Sequence, residues 1–183
     1  MRILVATDAW HPQINGVVRS LEQTAAALVP SGVETEFLTP QSFRTFPLPS
    51  YPEIYLSFAR ASDVLERLAR GQYDAVHIAT EGPIGFAARR ACLRRGYAFT
   101  TSYHTRFPEY VRARVPVPVR WTYAWLRRFH NAGAVTMIAT QTLRGELEEH
   151  GFRNLVIWSK GVNTDLFRPE AAKVLHLPKP IFL

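Results

Sequence analysis

The order in which short apolar runs and amphipathic stretches alternate constrains this chain more than any other feature. Six runs, Ile3 to Ala6, Glu34 to Leu38, Ala75 to Ala79, Ala98 to Ser102, Val135 to Ala139 and Leu155 to Trp158, read as strands, and helical spacing fills most of the intervals between them. Val17, Val18, Leu21, Ala25, Leu28 and Val29 form one apolar stripe, stopped by Ser31-Gly32. Ile84, Ala87, Ala88, Ala91 and Cys92 form a second, with Arg89, Arg90, Arg94 and Arg95 mostly toward water; Leu143 and Leu147 form a third, closed by Gly151. This rhythm predicts an α/β fold, a Rossmann-like parallel sheet with helices on both faces. Residues 40–56 carry Pro40, Pro47, Pro49 and Pro52 among aromatics and read as a long loop.

After Phe167-Arg168-Pro169 the pattern weakens. The expected organisation is one Rossmann-like domain over residues 1–170, then a linker over 171–183 whose last residues, Pro180 to Leu183, read as a strand just beginning. That strand points to a further domain beyond the linker.

Composition narrows the class. Hydrophobic residues make up 47% and charged residues 20%, and no apolar run reaches the ~18 residues that a membrane-spanning helix needs. One charge and four apolar residues at the amino terminus are too short for a signal peptide, so the expected location is the cytoplasm. The single cysteine, Cys92, has no second thiol for a disulfide or a zinc site and reads as core. Net charge is +7, and 19 of the 22 basic residues are arginine. Acidic partners are favoured: phosphates, nucleotides, nucleic acid or anionic lipid headgroups.

In an open parallel sheet, ligands bind beyond the carboxyl ends of the strands, and four such segments carry candidate chemistry. In "TDAWHPQINGVVRS", residues 7–20, Asn15 can cap the following helix and Gly16 opens its first N–H groups to a phosphate or polarised hydroxyl; a plain tight turn is the competing reading. In "HIATEGPIG", residues 77–85, Glu81 could accept from sugar hydroxyls, or simply complement a helix dipole. "TSYHTRFPEY", residues 101–110, brings a histidine, hydroxyls and an arginine to one strand end, where His104 and Arg106 suit a polar, anionic ligand. The last two, "ATQTLRGEL" and "SKGVNTDLF", offer Thr140 and Lys160, with a plain N-cap and a solvated lysine as their alternatives.

The helix at 119–130 differs in kind. Its apolar arc includes Trp121 and Trp125 at the margin beside Arg128, an arrangement that fits either ordinary packing or an interfacial helix resting on anionic membrane. No helix-turn-helix, zinc or RNA-recognition signature is present, so nucleic acid is not an expected partner. A rival reading is a non-catalytic Rossmann-like nucleotide-binding module, with Glu34 or Glu36 near the distance for a ribose-binding carboxylate; the absent G-x-G-x-x-G weighs against it.

The segments "ATDAWHPQINGVVRSLE", "DAVHIATEGPIGFAAR", "TSYHTRFPEY" and "GVNTDLFRP", in this order, resemble the amino-terminal half of glycosyltransferase family 4, retaining enzymes of the GT-B fold, and most closely its GDP-mannose-dependent α-mannosyltransferase-like members. The resemblance implies two Rossmann-like domains facing across a cleft. This chain would be the first, which mainly receives a lipid or glycan acceptor, while a second domain would hold most of the nucleotide-sugar donor, GDP-mannose being favoured. It implies an acceptor and donor-phosphate loop at Asn15, Gly16 and Val17, and His104 as the catalytic-site histidine beside the transferred sugar. Asp8, Glu81, Gly82, Thr105, Arg106, Thr140 and Lys160 become candidate substrate-binding residues. It further implies no protein base and inactivity of this half alone. From the residues themselves no metal cluster or other cofactor is expected, and the helix at 119–130 makes a peripheral contact with the inner face of the membrane the expected one. Asn15-Gly16 stands where the family has paired glycines, Asn163 where Gly-Val-Asp is usual, and Ser159-Lys160 where Gly-Arg is commoner.

Overall fold

The computed structural model describes residues 1–13, 15–48, 51–104, 107–112, 116–164 and 167–168; the linker expected over 171–183 lies outside them. Its strands and helices follow in chain order: β1 (Arg2–Ala6), α1 (Gly16–Leu28), β2 (Glu34–Leu38), β3 (Thr45–Leu48), β4 (Tyr51–Ser57), α2 (Ala61–Gly71), β5 (Ala75–Ile78), α3 (Pro83–Arg95), β6 (Thr100–Ser102), α4 (Phe107–Arg112), α5 (Val119–His130), β7 (Val135–Ile138), α6 (Gln141–Glu149) and β8 (Leu155–Ile157).

Six strands pair in parallel in the order β2-β1-β5-β6-β7-β8. The fold is α/β and Rossmann-like, with helices on both faces. Parallel strands buried on both sides need apolar residues at successive positions, and β1 supplies them, with Leu4, Val5 and Ala6 all buried. Leu4 and Ala6 join Val76 and Ile78 of β5 in a core closed by Val64 and Leu68 of α2, by Ile84, Ala88, Ala91 and Cys92 of α3, and by Phe129 of α5. Val5 faces the other way, against Leu21 of α1. A smaller cluster joins Ile138, Leu126, Leu147, Phe152 and Leu155 beneath α5 and α6. Burial pushes the Cys92 thiol up to about 11, which makes it a core side chain rather than a nucleophile.

Right-handed crossovers explain the layering. From β1 the chain steps one way to β2, placing α1 on one face; from β5 it steps the other way through β6, β7 and β8, placing α3, α5 and α6 on the opposite face. The direction reverses between β1 and β5. That reversal opens a crevice at the carboxyl ends of those two strands.

Local signals set the boundaries. Asn15 caps α1, its Oδ1 accepting from the Val17 and Val18 N–H groups at 3.0 Å each. Gly32 and Gly151, with φ of 71° and 78°, take the left-handed conformation that stops a helix. The segment expected as a loop at 40–56 differs: β3 and β4 form an antiparallel hairpin there, and its register shifts between Pro47 and Leu48. A two-stranded ribbon tolerates prolines that a central strand would not, because the missing N–H falls at the irregularity.

Candidate functional site

The candidate residues gather at the carboxyl edge of the sheet, because each follows a strand: Asp8, Asn15, Gly16 and Val17 after β1, Glu81 and Gly82 after β5, His104 after β6, Thr140 after β7 and Lys160 after β8. Thr105 and Arg106 lie outside the described residues.

Asp8 spans the crevice between β1 and β5. Its carboxylate accepts from the Ile84 N–H at 2.8 Å, the Gly85 N–H at 3.2 Å and the Thr80 hydroxyl at 2.8 Å, and the Asp8 N–H donates to Thr80 Oγ1 at 2.7 Å. It is the anion that the N-terminus of α3 attracts. Burial pushes its carboxyl above the usual value, against hydrogen bonds from Ile84, Thr80, Gly85 and Gly82 that favour the charge. Gly82 makes this approach possible: a Cβ there would stand 2.4 Å from the Asp8 Cγ. Both residues are thereby committed to joining β1 to α3.

The turn after β1 is arranged differently. Asn15 holds two N–H groups of the first turn of α1, and its Nδ2 donates to Gln13 Oε1 at 3.1 Å. Val17 packs into the cluster of Val5 and Leu21. A Cβ on Gly16 would meet nothing within 4 Å, so the glycine is not demanded by packing and the space above it is open.

Glu81 is held from below. His130, fully buried in the last turn of α5, places Nε2 at 3.1 Å from Glu81 Oε1 and Nδ1 at 2.9 Å from Thr101 Oγ1, which lies 3.0 Å from Thr136 Oγ1. A carboxylate can only accept, so the Nε2 position carries the proton. The Glu81 side chain remains 21% exposed at the crevice, able to accept from a second donor.

His104 follows β6. Its Nε2 is buried and has no hydrogen-bond partner among the described residues. Its ring faces Trp158, with centroids 6.4 Å apart. Burial, then the charge of Lys160, and then His77 and His130, push the imidazole down to about 4, so it is neutral at pH 7. An orphaned buried nitrogen is costly unless a ligand or water meets it. Behind it, His77 of β5 places Nδ1 at 2.8 Å from Thr100 Oγ1 and Nε2 at 2.9 Å from Ser102 Oγ, and burial pushes that imidazole down to about 4 as well.

Thr140 and Lys160 lie at the surface. Thr140 caps α6, its Oγ1 accepting from the Leu143 N–H at 3.2 Å. Lys160 is exposed and acts on His104 through its charge. Glu34 and Glu36 pair with Arg2, and Glu36 also with Arg67, within β2 rather than at its carboxyl end, so neither is placed to meet a ribose. Trp121 and Trp125 are 62% and 43% exposed, and Trp125 lies against Phe86, centroids 5.0 Å apart. Among the described residues no cluster of three or more His, Cys, Asp or Glu could hold a metal, and no helix is long and apolar enough to cross a membrane.

Comparison with known proteins gives a consistent result. The model of the family described as Glycosyltransferase Family 4 matches residues 14–166. The sulfoquinovosyl transferase SQD2 of Arabidopsis thaliana is 28% identical over 69% of this chain and 26% of its own length. GDP-mannose-dependent alpha-mannosyltransferases of Mycobacterium tuberculosis and Corynebacterium glutamicum are 24% and 20% identical, over 93% and 92% of this chain and 50% and 45% of their own lengths. The chain thus spans about a quarter of the first relative and about half of the other two.

Proposed function

The chain belongs to glycosyltransferase family 4, and from that premise we propose that it forms the acceptor-side half of a retaining GT-B enzyme, which moves a sugar from a nucleotide-sugar donor to a lipid or glycan acceptor. Mannose from GDP-mannose is the favoured transfer, on the likeness to the two proteins named for that donor. The observation that carries the reading is His104: a neutral imidazole with a buried, unpartnered Nε2, at the carboxyl edge of the sheet beside Lys160 and Trp158. Such a nitrogen forms one directional hydrogen bond with a sugar hydroxyl.

The chemistry assigned to this half is positioning. The departing diphosphate takes the acceptor's proton on the face where the new bond forms, so no side chain here needs to act as a base. His104 and Glu81 orient hydroxyls, Gly16 leaves room above α1 for the donor phosphates or the acceptor, and Lys160 supplies positive charge near the leaving group. A second domain would bring most of the donor-binding residues and close the cleft. The protein would work in the cytoplasm, resting on the inner face of the membrane. Turnover of GDP-mannose against UDP-sugars, by this chain and by a form carrying a second domain, tests the reading.

A further inference from the structure

A cavity of about 240 Å³ lies between the turn after β1, the segment after β2 and the β3–β4 hairpin, lined by Trp10, Gln13, Gln41, Phe43, Thr45 and Tyr55 among others. Its chemistry sets it apart from the rest of the molecule. The chain has 22 lysines and arginines, yet among the described residues none lines this cavity, nor does any aspartate or glutamate. The histidine in the wall, His11, is engaged with Glu22, Nε2 to Oε1 at 2.6 Å. A phosphate or nucleotide would find no lysine or arginine among the described residues of this wall. What the wall does offer is aromatic surface beside neutral donors and acceptors: two amides, a threonine hydroxyl and a phenol.

That combination suits a ring with an apolar C–H face and an equatorial rim of hydroxyls. The volume lies below the ~300 Å³ at which pockets for drug-sized ligands begin, which favours a single ring over a nucleotide. The Trp10 indole is steadied by Phe37, centroids 4.5 Å apart, so its aromatic surface is preorganised. The cavity also adjoins the proposed site through one bond, since Gln13 in its wall accepts from Asn15, the cap of α1.

We propose that this cavity binds one neutral pyranose ring, the terminal sugar of the acceptor. The proposal rests on the glycosyltransferase reading and names the acceptor subsite within it. Gln13 and Gln41 then serve as specificity-determining residues, reading hydroxyl orientation while Trp10 and Phe43 supply the apolar contact.

The test is an NMR titration of the nitrogen-15-labelled chain with methyl α-D-mannopyranoside, and with inorganic phosphate as the anionic arm. The Trp10 indole N–H signal is identified by its loss in Trp10→Phe. The expected result is that this signal and the Gln13 and Gln41 side-chain amides move together on one saturating curve below ~100 mM sugar, that phosphate leaves them unmoved, and that Gln41→Ala weakens binding by roughly 5-fold. Gln41 is exposed, so its truncation leaves the fold intact, and Thr45→Val gives a second, independent exposed variant. No saturating shift at Trp10, an equal shift with phosphate, or curves unchanged by both variants would overturn the proposal. Donor turnover by a form carrying a second domain, without sugar shifts here, removes the subsite and keeps the enzyme reading; sugar shifts without turnover by that form keep the subsite as a carbohydrate site and remove the catalytic reading.

Discussion

His130 Nε2 lies 3.1 Å from Glu81 Oε1, across 49 residues of sequence, and joins the last turn of α5 to the carboxyl end of β5. The imidazole is sealed from solvent, so the pair fixes one oxygen of a carboxylate that stays 21% exposed at the crevice. His130→Ala removes a buried partner from both Glu81 and Thr101 and leaves a cavity; it should lower stability by about 2–4 kcal/mol in urea denaturation. His130→Gln can still donate to Glu81 from its amide, and should recover at least half of that loss. Equal losses for the two variants would show that packing, not the hydrogen bonds, sets the role of His130.

Two glycines separate packing from ligand access. At Gly82 an added Cβ meets the pinned carboxyl of Asp8, so Gly82→Ala should cost about 1–3 kcal/mol of stability. At Gly16 the space is open and the residue begins a helix, so Gly16→Ala should leave stability unchanged or raise it by up to ~1 kcal/mol. Melting curves of the two variants give the comparison. If Gly16→Ala instead lowers turnover of the active enzyme with its stability intact, the open space is used by a ligand.

Acid should destabilise the fold through His77. Its folded value is depressed to about 4 from an ordinary 6.5, so between those values the unfolded chain binds a proton that the folded chain refuses. Stability is therefore fully present above pH 6.5 and falls as pH drops toward 4, by on the order of 3 kcal/mol if the whole shift is expressed. Urea denaturation at pH 7 and pH 5 should show the decline, and His77→Gln should shrink it to the part that His104, held down to about 4 in the same way, contributes. A decline of the same size in the variant would place its origin elsewhere.

Charge on the outer surface is concentrated. Helix α3 carries four arginines and α5 three, neither has an acidic residue, and together they account for the chain's whole net charge of +7. The two pack side by side, with Arg89 donating to the Phe129 and Arg128 carbonyl oxygens at 3.1 Å and 2.8 Å. With Trp121 and Trp125 exposed on α5, this surface should bind vesicles containing phosphatidylglycerol and release them in salt. Arg128→Ala and Arg120→Ala should each weaken binding by roughly 5-fold, since a basic residue near an anionic surface is worth about 1 kcal/mol. Equal co-sedimentation with phosphatidylcholine vesicles would contradict the assignment.

Much of the fold was legible because its signals are local. All six strands of the sheet stand where apolar runs placed them, to within two residues at either end, and Asn15 and Thr140 cap their helices because a cap reaches only two or three residues forward. The hairpin at 45–57 was not legible, since its prolines read as loop and its pairing depends on a partner strand. The role of His130 was hidden for a related reason: in sequence it is one more basic residue at a helix end, and only the packing of α5 against β5 and β6 brings it to Glu81. Asp8 likewise reads as a residue of the turn after β1, whereas its carboxylate serves a helix 76 residues away.

The most direct test of the central claim is donor turnover. GDP-mannose and UDP-sugars are supplied to this chain, to a form extended by about 180 further residues, one more domain of typical size, and to the extended form with His104→Ala. The account predicts turnover of GDP-mannose by the extended form alone, reduced by roughly 100-fold or more in His104→Ala with the fold retained. Failure of the extended form to turn over any donor, or normal turnover without the His104 imidazole, would contradict it.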